Sequence, residues 1–250
     1  MQSKFIKHQG ATLHYQIGGK ETAPFIVLLH GGFGSIADFA PLLPRLQQNY
    51  RVIAIDTRGH GRSTLGTAAL TYAQAAEDAR QILRHEGVEK YSLFGFSDGG
   101  TTAYRLGAAD KNIGKIITVG AEWHKKHLDG VRPMFETINL DFVKENLPEQ
   151  LAAYQAANPE PDAEKWAAAL KVMWLDEGAS GYPNENIHQI QAPVLAVRGE
   201  ADFLFAFDDW AALKTELPKV HLMNVPFAAH EAIKEQPEIV WAAVQAFRQK

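Results

Sequence analysis

A mostly parallel eight-stranded sheet with helices on both faces, an α/β fold, is predicted by two features of the chain. Short, near-continuous apolar runs alternate with longer helical stretches, and a single Pro-punctuated segment interrupts that alternation. Residues 4–9 and 12–17 alternate apolar with polar side chains around Gly10, the pattern of an antiparallel pair at a sheet edge. Phe25–Leu29 (FIVLL) and Arg51–Ile55 (RVIAI) are apolar almost throughout. So are 91–94, 115–119, 194–197 and 220–225, as expected of parallel strands covered on both faces. Helices are expected over 38–48, Tyr72–His85, 99–108, 207–217 and 231–248, which gives a sheet wound with right-handed crossovers. No strand is expected within 122–190. Phe135, Ile138 and Phe142 fall at helical spacing there, as do Trp166, Leu170, Met173 and Trp174. Pro133, Pro148, Pro159 and Pro161 divide the segment into short helices, and GASGYP at 178–183 reads as the return linker. The expected organisation is a core of residues 1–121 and 191–250 with a helical lid, 122–190, inserted between them.

Composition narrows the function. The 250 residues are 46% hydrophobic and 22% charged, ordinary globular usage. A net charge of −4 argues against a nucleic-acid protein built on a basic face. Cysteine is absent, which excludes disulfides, a thiolate nucleophile and Cys-ligated metal. The N-terminal MQSKFIKHQG has no apolar export core, and no apolar run is long enough to span a bilayer, so a cytoplasmic protein without membrane partners is expected. The segment 122–190 carries 12 acidic and 6 basic residues. Solvated helix faces account for that excess, as does a field favouring cationic substrates. His124 and His127 have metal-ligand spacing but no third ligand in reach of the pattern, so neither metal nor cofactor is expected.

One constellation carries chemistry. Gly95-Phe96-Ser97-Asp98-Gly99 is a G-x-S-x-G segment between an apolar strand and a helical run. That context is a nucleophile elbow, a turn so tight that only small residues fit beside the serine. A serine hydroxyl needs a base, and the order expected along the chain is Ser, acid, His. His230 follows the last strand, and Asp202 follows the strand at 194–197. Both belong to the C-terminal edge of the sheet, where open parallel sheets place their sites. Asp208, Asp209 and Glu200 are the competing acids; the first two sit inside the following helix. Oxyanion donors are expected from the backbone N–H of Gly32 or Phe33, in the loop His30-Gly31-Gly32-Phe33-Gly34-Ser35, and from the N–H of Asp98. Trp123, Phe135 and Trp174 are candidate substrate contacts from the inserted segment.

Together these motifs resemble the α/β-hydrolase superfamily over nearly the whole chain: His30-Gly31-Gly32, the turn Asp56-Thr57-Arg58-Gly59-His60-Gly61-Arg62-Ser63, the elbow at Ser97, the acid at Asp202 and the base at His230. The resemblance implies the α/β-hydrolase fold and a structural turn at 56–63 whose Asp56 and Arg58 pin loops near the site. Serine at the elbow sets the chain apart from haloalkane dehalogenases and epoxide hydrolases, which carry Asp there. Phe96-Ser97-Asp98-Gly99-Gly100, Gly34-Ser35 followed by Asp38-Phe39, and Val220-His221-Leu222-Met223 are similar to valacyclovirase-type (biphenyl hydrolase-like) enzymes. In that group the acid after the nucleophile binds an α-amino group, which gives Asp98 a substrate-binding role. A carboxylate at a helix N-terminus is also favourable without any ligand. The expected activity is hydrolysis of a small carboxylic ester, including an α-amino-acid ester, through an acyl-enzyme. A lactonase, carbon–carbon hydrolase or cofactor-free perhydrolase would use the same triad, and a ligand sensor with vestigial hydrolysis is the alternative of another class. Oligomeric state is left open by the sequence.

Overall fold

The computed structural model describes residues 1–249. Eight strands form one sheet: β1 (Gln2–His8), β2 (Ala11–Gly19), β3 (Phe25–Leu29), β4 (Arg51–Ile55), β5 (Tyr91–Phe96), β6 (Ile113–Val119), β7 (Val194–Gly199) and β8 (His221–Val225). Their order is β1-β2-β4-β3-β5-β6-β7-β8. β1 and β2 pair antiparallel, as do β2 and β4, and all later pairs are parallel. The apolar strand runs are explained by burial on both faces. Val27, Leu29, Ile53, Leu93, Ile116 and Ala196 point into one core. Their neighbours Ile26, Leu28, Val52, Phe94, Ile117 and Leu195 point into the other.

The first core is covered by α2 (Tyr72–His85), α3 (Asp98–Ala109) and α8 (Phe207–Glu216). The second is covered by α1 (Leu43–Asn49), α9 (Ala232–Glu235) and α10 (Pro237–Arg248). Two expected helices are divided. The stretch 38–48 becomes a 3₁₀ turn, Ile36–Phe39, followed by α1, and 231–248 becomes α9 and α10. Proline is the cause in both: it lacks a donor N–H and is tolerated only in a first turn, where Pro44 and Pro237 lie.

Between β6 and β7 lie α4 (Leu128–Glu136), α5 (Leu140–Asn146), α6 (Pro148–Ala157) and α7 (Ala163–Trp174), with no strand among them. They share a third apolar cluster in which Trp166 stacks on Tyr154 at 4.1 Å. This segment is tied to the sheet loops in two places. Asn158 Nδ2 donates to the carbonyls of Gly61 and Ser63, and the Phe33 ring meets Trp166 and Trp174 edge-on.

The turn after β4 is a buried polar knot. Asp56 accepts from His14 Nδ1 and from the N–H groups of Ile36 and Arg62. Those donors hold its carboxyl below the usual range despite burial. Arg58 is fully buried and grips Asp78 with two nitrogens. Among the described residues no helix is long and apolar enough to cross a membrane.

His60 lies in the same turn, buried, with Nδ1–H donating to the Arg58 carbonyl and Nε2 without a partner. Burial pushes it down to about 3. The folded protein therefore keeps His60 neutral where the unfolded chain protonates it, and stability falls as pH drops from about 6.5 towards 3. One such group adds a slope of up to about 1.4 kcal/mol per pH unit. Urea unfolding at a series of pH values should show a shallower acid loss in His60→Leu than in wild type. Equal slopes would contradict this origin.

Candidate active site

Parallel pairing lines up the strand ends that carry the site. Leu29 lies opposite Gly95, Gly95 opposite Thr118, and Thr118 opposite Ala196. Just beyond this row the chain leaves the sheet as the 30–35 loop, the elbow and the Asp202 loop, and His230 arrives from the end of β8.

Ser97 stands between β5 and α3 at φ 51°, ψ −119°, a strained backbone for a residue with a side chain. The turn closes because its flanks are glycine: a Cβ at Gly99 would sit 1.9 Å from the Leu29 carbonyl oxygen. Ser97 Oγ is 2.9 Å from His230 Nε2. His230 Nδ1 lies 3.0 and 3.1 Å from the two carboxylate oxygens of Asp202. Asp202 is 2% exposed and also accepts from the N–H groups of Leu204 and Phe205. Its loop is braced by Arg198 on β7, which donates to the carbonyls of Glu200, Asp202 and Phe205 and to Asn224 Oδ1.

The 30–35 loop packs directly on the serine; a Cβ at Gly31 would lie 3.1 Å from Ser97 Cβ. His30 fixes it by donating from Nδ1 to the Gly31 carbonyl and accepting at Nε2 from the Thr57 N–H. Phe33 adopts φ 56°. Among the described residues, the N–H groups of Gly32, Phe33 and Asp98 have no protein acceptor. That leaves them free for charge developing beside Ser97.

A cavity of about 260 Å³ opens over Ser97. Much of its wall is apolar and comes from the inserted segment: Met134, Phe135, Ile138, Phe142, Leu147 and Trp174. Four of its lining residues are acidic: Asp38, Asp98, Glu122 and Glu231. The Asp98 carboxylate accepts from Tyr72 Oη at 2.7 Å and from Trp174 Nε1, and burial raises its pKa. Glu122 is buried with neither carboxyl oxygen hydrogen-bonded, and burial followed by the nearby Asp209 and Asp202 charges holds it well above the carboxylate range. Burial lowers His127 to about 4. Among the described residues the only Lys or Arg in the lining is Lys234, and it is paired with Asp38 and Glu231.

Comparison with known proteins agrees with this fold. The alpha/beta hydrolase fold family matches residues 24–141. The 3-oxoadipate enol-lactonase 1 of Acinetobacter baylyi is 27% identical across 92% of this chain and 90% of its own length. Carboxylesterase YbfK of Bacillus subtilis is 27% identical across 97% and 86%. The crystal structure of the enol-lactonase from Burkholderia xenovorans superposes with a TM-score of 0.77 at 22% identity, covering 99% of this chain and all of that one. The chain has the α/β-hydrolase fold and is similar to members of that superfamily along most of its length.

On this α/β-hydrolase scaffold, Ser97, Asp202 and His230 meet as the sequence pattern places them, while the backbone carbonyl of the competing acid Asp209 accepts from Trp123 Nε1–H. Phe135 and Trp174 line the cavity. Trp123 does not. It is buried against the sheet with Nε1–H donating to Asp209 O, because it faces α8 rather than the helices that follow it. Three residues had no motif to mark them. Arg198 reads as an anomaly inside an apolar strand, Glu122 was one acid among many, and Gly120 was an unremarked glycine. Gly120 has φ 59°, and a Cβ there would lie 3.0 Å from the His230 ring and 3.1 Å from Asp202 Oδ2. Gly120→Ala should displace the imidazole and lower kcat by about tenfold or more, since small misplacements at a reacting centre are costly. Steady-state kinetics on the folded variant check this; an unchanged kcat would show that the ring does not need that space.

Proposed function

We propose that the protein hydrolyses carboxylic esters through an acyl-enzyme on Ser97. The reading is carried by one observation: the Ser97 hydroxyl reaches His230 Nε2 at 2.9 Å while Asp202 holds the opposite ring nitrogen. Ser97 Oγ attacks the carbonyl and its proton passes to Nε2. Asp202, which accepts from Nδ1–H, keeps the tautomer that leaves Nε2 basic and stabilises the imidazolium once formed. The N–H of Asp98, at the start of α3, and that of Gly32 or Phe33 stabilise the oxyanion. The imidazolium gives its proton to the leaving alcohol. Water then attacks the acyl-enzyme with His230 again as base, and the proton returns to Ser97. Esterase and lactonase relatives support this class of reaction.

The segment 122–190 acts in this reading as a lid. It supplies the apolar wall that seats the acyl group, and Trp174 latches it to the elbow through Asp98. A carboxylate-bearing substrate would meet the Asp98 carboxylate with no free Lys or Arg among the described lining residues to offset it, so uncharged substrates are preferred. The same acidic lining favours a second reading, hydrolysis of α-amino-acid esters. It is weakened because Tyr72 and Trp174 already occupy the Asp98 carboxylate.

The test is kcat/KM for p-nitrophenyl esters of valine and of isovalerate, its analogue without the amino group, on wild type and Ser97→Ala. We expect wild type to turn over both and to favour the plain ester, and Ser97→Ala to retain less than about a tenth of either rate while remaining folded. A preference for the valine ester of about tenfold, roughly 1.4 kcal/mol, would establish the amino-ester reading instead. Turnover by Ser97→Ala near the wild-type rate would remove Ser97 as nucleophile.

A further inference from the structure

Buried carboxyls in folded proteins are almost always hydrogen-bonded or paired. Glu122 is neither. It is 8% exposed, it forms part of the wall of the cavity over Ser97, and neither Oε1 nor Oε2 has a hydrogen-bond partner. The residue sits just beyond β6, and its carbonyl is fixed by Thr101 Oγ1 from α3, so its backbone is held by the elbow helix itself. A polar side chain with unused hydrogen-bonding capacity that belongs to the wall of the space where an acyl chain must lie is the usual form of a recognition point.

We propose that Glu122 recognises an oxygen-bearing substituent, a hydroxyl or keto group, on the acyl chain of the substrate. The inference rests on the acyl-enzyme reading above. The charges around Glu122 decide what kind of group it takes. Asp209 on α8 and Asp202 in the loop after β7 act on it and oppose a second negative charge. The nearest base, His127, approaches to 3.9 Å, but its Nδ1–H is directed to the His124 carbonyl, and burial keeps the ring neutral. Among the described residues the lining holds no Lys or Arg except Lys234, which is already doubly paired. Burial and these charges favour the neutral acid form of Glu122, which has one O–H to donate and one carbonyl oxygen to accept. A hydroxyl matches both capacities and a keto oxygen the first. A plain alkyl chain matches neither and leaves the acid unpartnered.

The experiment compares p-nitrophenyl butyrate with its 2-hydroxy and 3-hydroxy derivatives on wild type, Glu122→Gln and Glu122→Leu. The quantity read is the ratio of kcat/KM, hydroxyacyl over plain, within each protein. We expect wild type to favour at least one hydroxyacyl ester by about tenfold or more, corrected for the non-enzymatic hydrolysis of each ester. Glu122→Gln, which keeps a donor and an acceptor, should hold that preference within about threefold, and Glu122→Leu should abolish it. A ratio near one in wild type, or the same ratio in wild type and Glu122→Leu, would overturn the proposal. The 3-amino derivative is the control for charge. A preference for it over the hydroxy esters that Glu122→Gln removes would also overturn the proposal, by assigning Glu122 an anionic role. Failure of the acyl-enzyme reading looks different: p-nitrophenol would be released from none of the esters, with or without the hydroxyl.

Discussion

How tightly α3 can follow β5 is the constraint on which the site depends. Gly99 touches the end of β3, and Gly95 lies against Gly99 in turn, so the turn has no room for a side chain on either flank. That closeness forces Ser97 into its strained backbone, lifts its hydroxyl over the strand ends and leaves the Asp98 N–H unpartnered. The same contact brings the 30–35 loop against the serine. One steric condition therefore sets both the position of Ser97 and the unpartnered N–H groups beside it, and the strain is held by a sheet whose two cores fix β3, β5 and β6 in register.

The second condition is the placement of the base. His230 and Asp202 come from loops after β8 and β7, far along the chain from Ser97. Parallel pairing makes their strands end at the same edge. Arg198 then braces the acid loop from below, and Gly120 leaves the space the imidazole fills. The inserted helices close the cavity from above. They are joined to the core by aromatic contacts of Phe33 and by the Trp174–Asp98 bond, so their seating and the oxyanion loop are one packing unit.

The sequence is most legible where short, local signals set the geometry. The elbow is five residues with a steric reason for each glycine, and the acid and base follow strands recognisable from apolar runs. The sequence is least legible where meaning is set by distant neighbours. Trp123 has the composition of a substrate contact, but the side of the chain it occupies is fixed by α8, some eighty positions later. Arg198 and Glu122 are ordinary charged residues in a linear reading; only burial separates a loop brace and an orphaned acid from solvated surface. Asp98 was legible as an acid beside the nucleophile, but its ties to Tyr72 and Trp174 were not. The divided helices at 36–49 and 232–248 show the same limit on a smaller scale, where prolines were outweighed by apolar periodicity.

The central claim is that Ser97 is acylated. Intact-protein mass spectrometry after rapid acid quench of a p-nitrophenyl butyrate reaction tests it most directly, followed by peptide mapping of any adduct. The account predicts a mass increase of one butyryl group on the peptide holding Ser97, accumulating when Asp202→Asn slows deacylation and absent from Ser97→Ala. A butyryl group mapped to another residue, or turnover with no adduct at any quench time in wild type or Asp202→Asn, would contradict it.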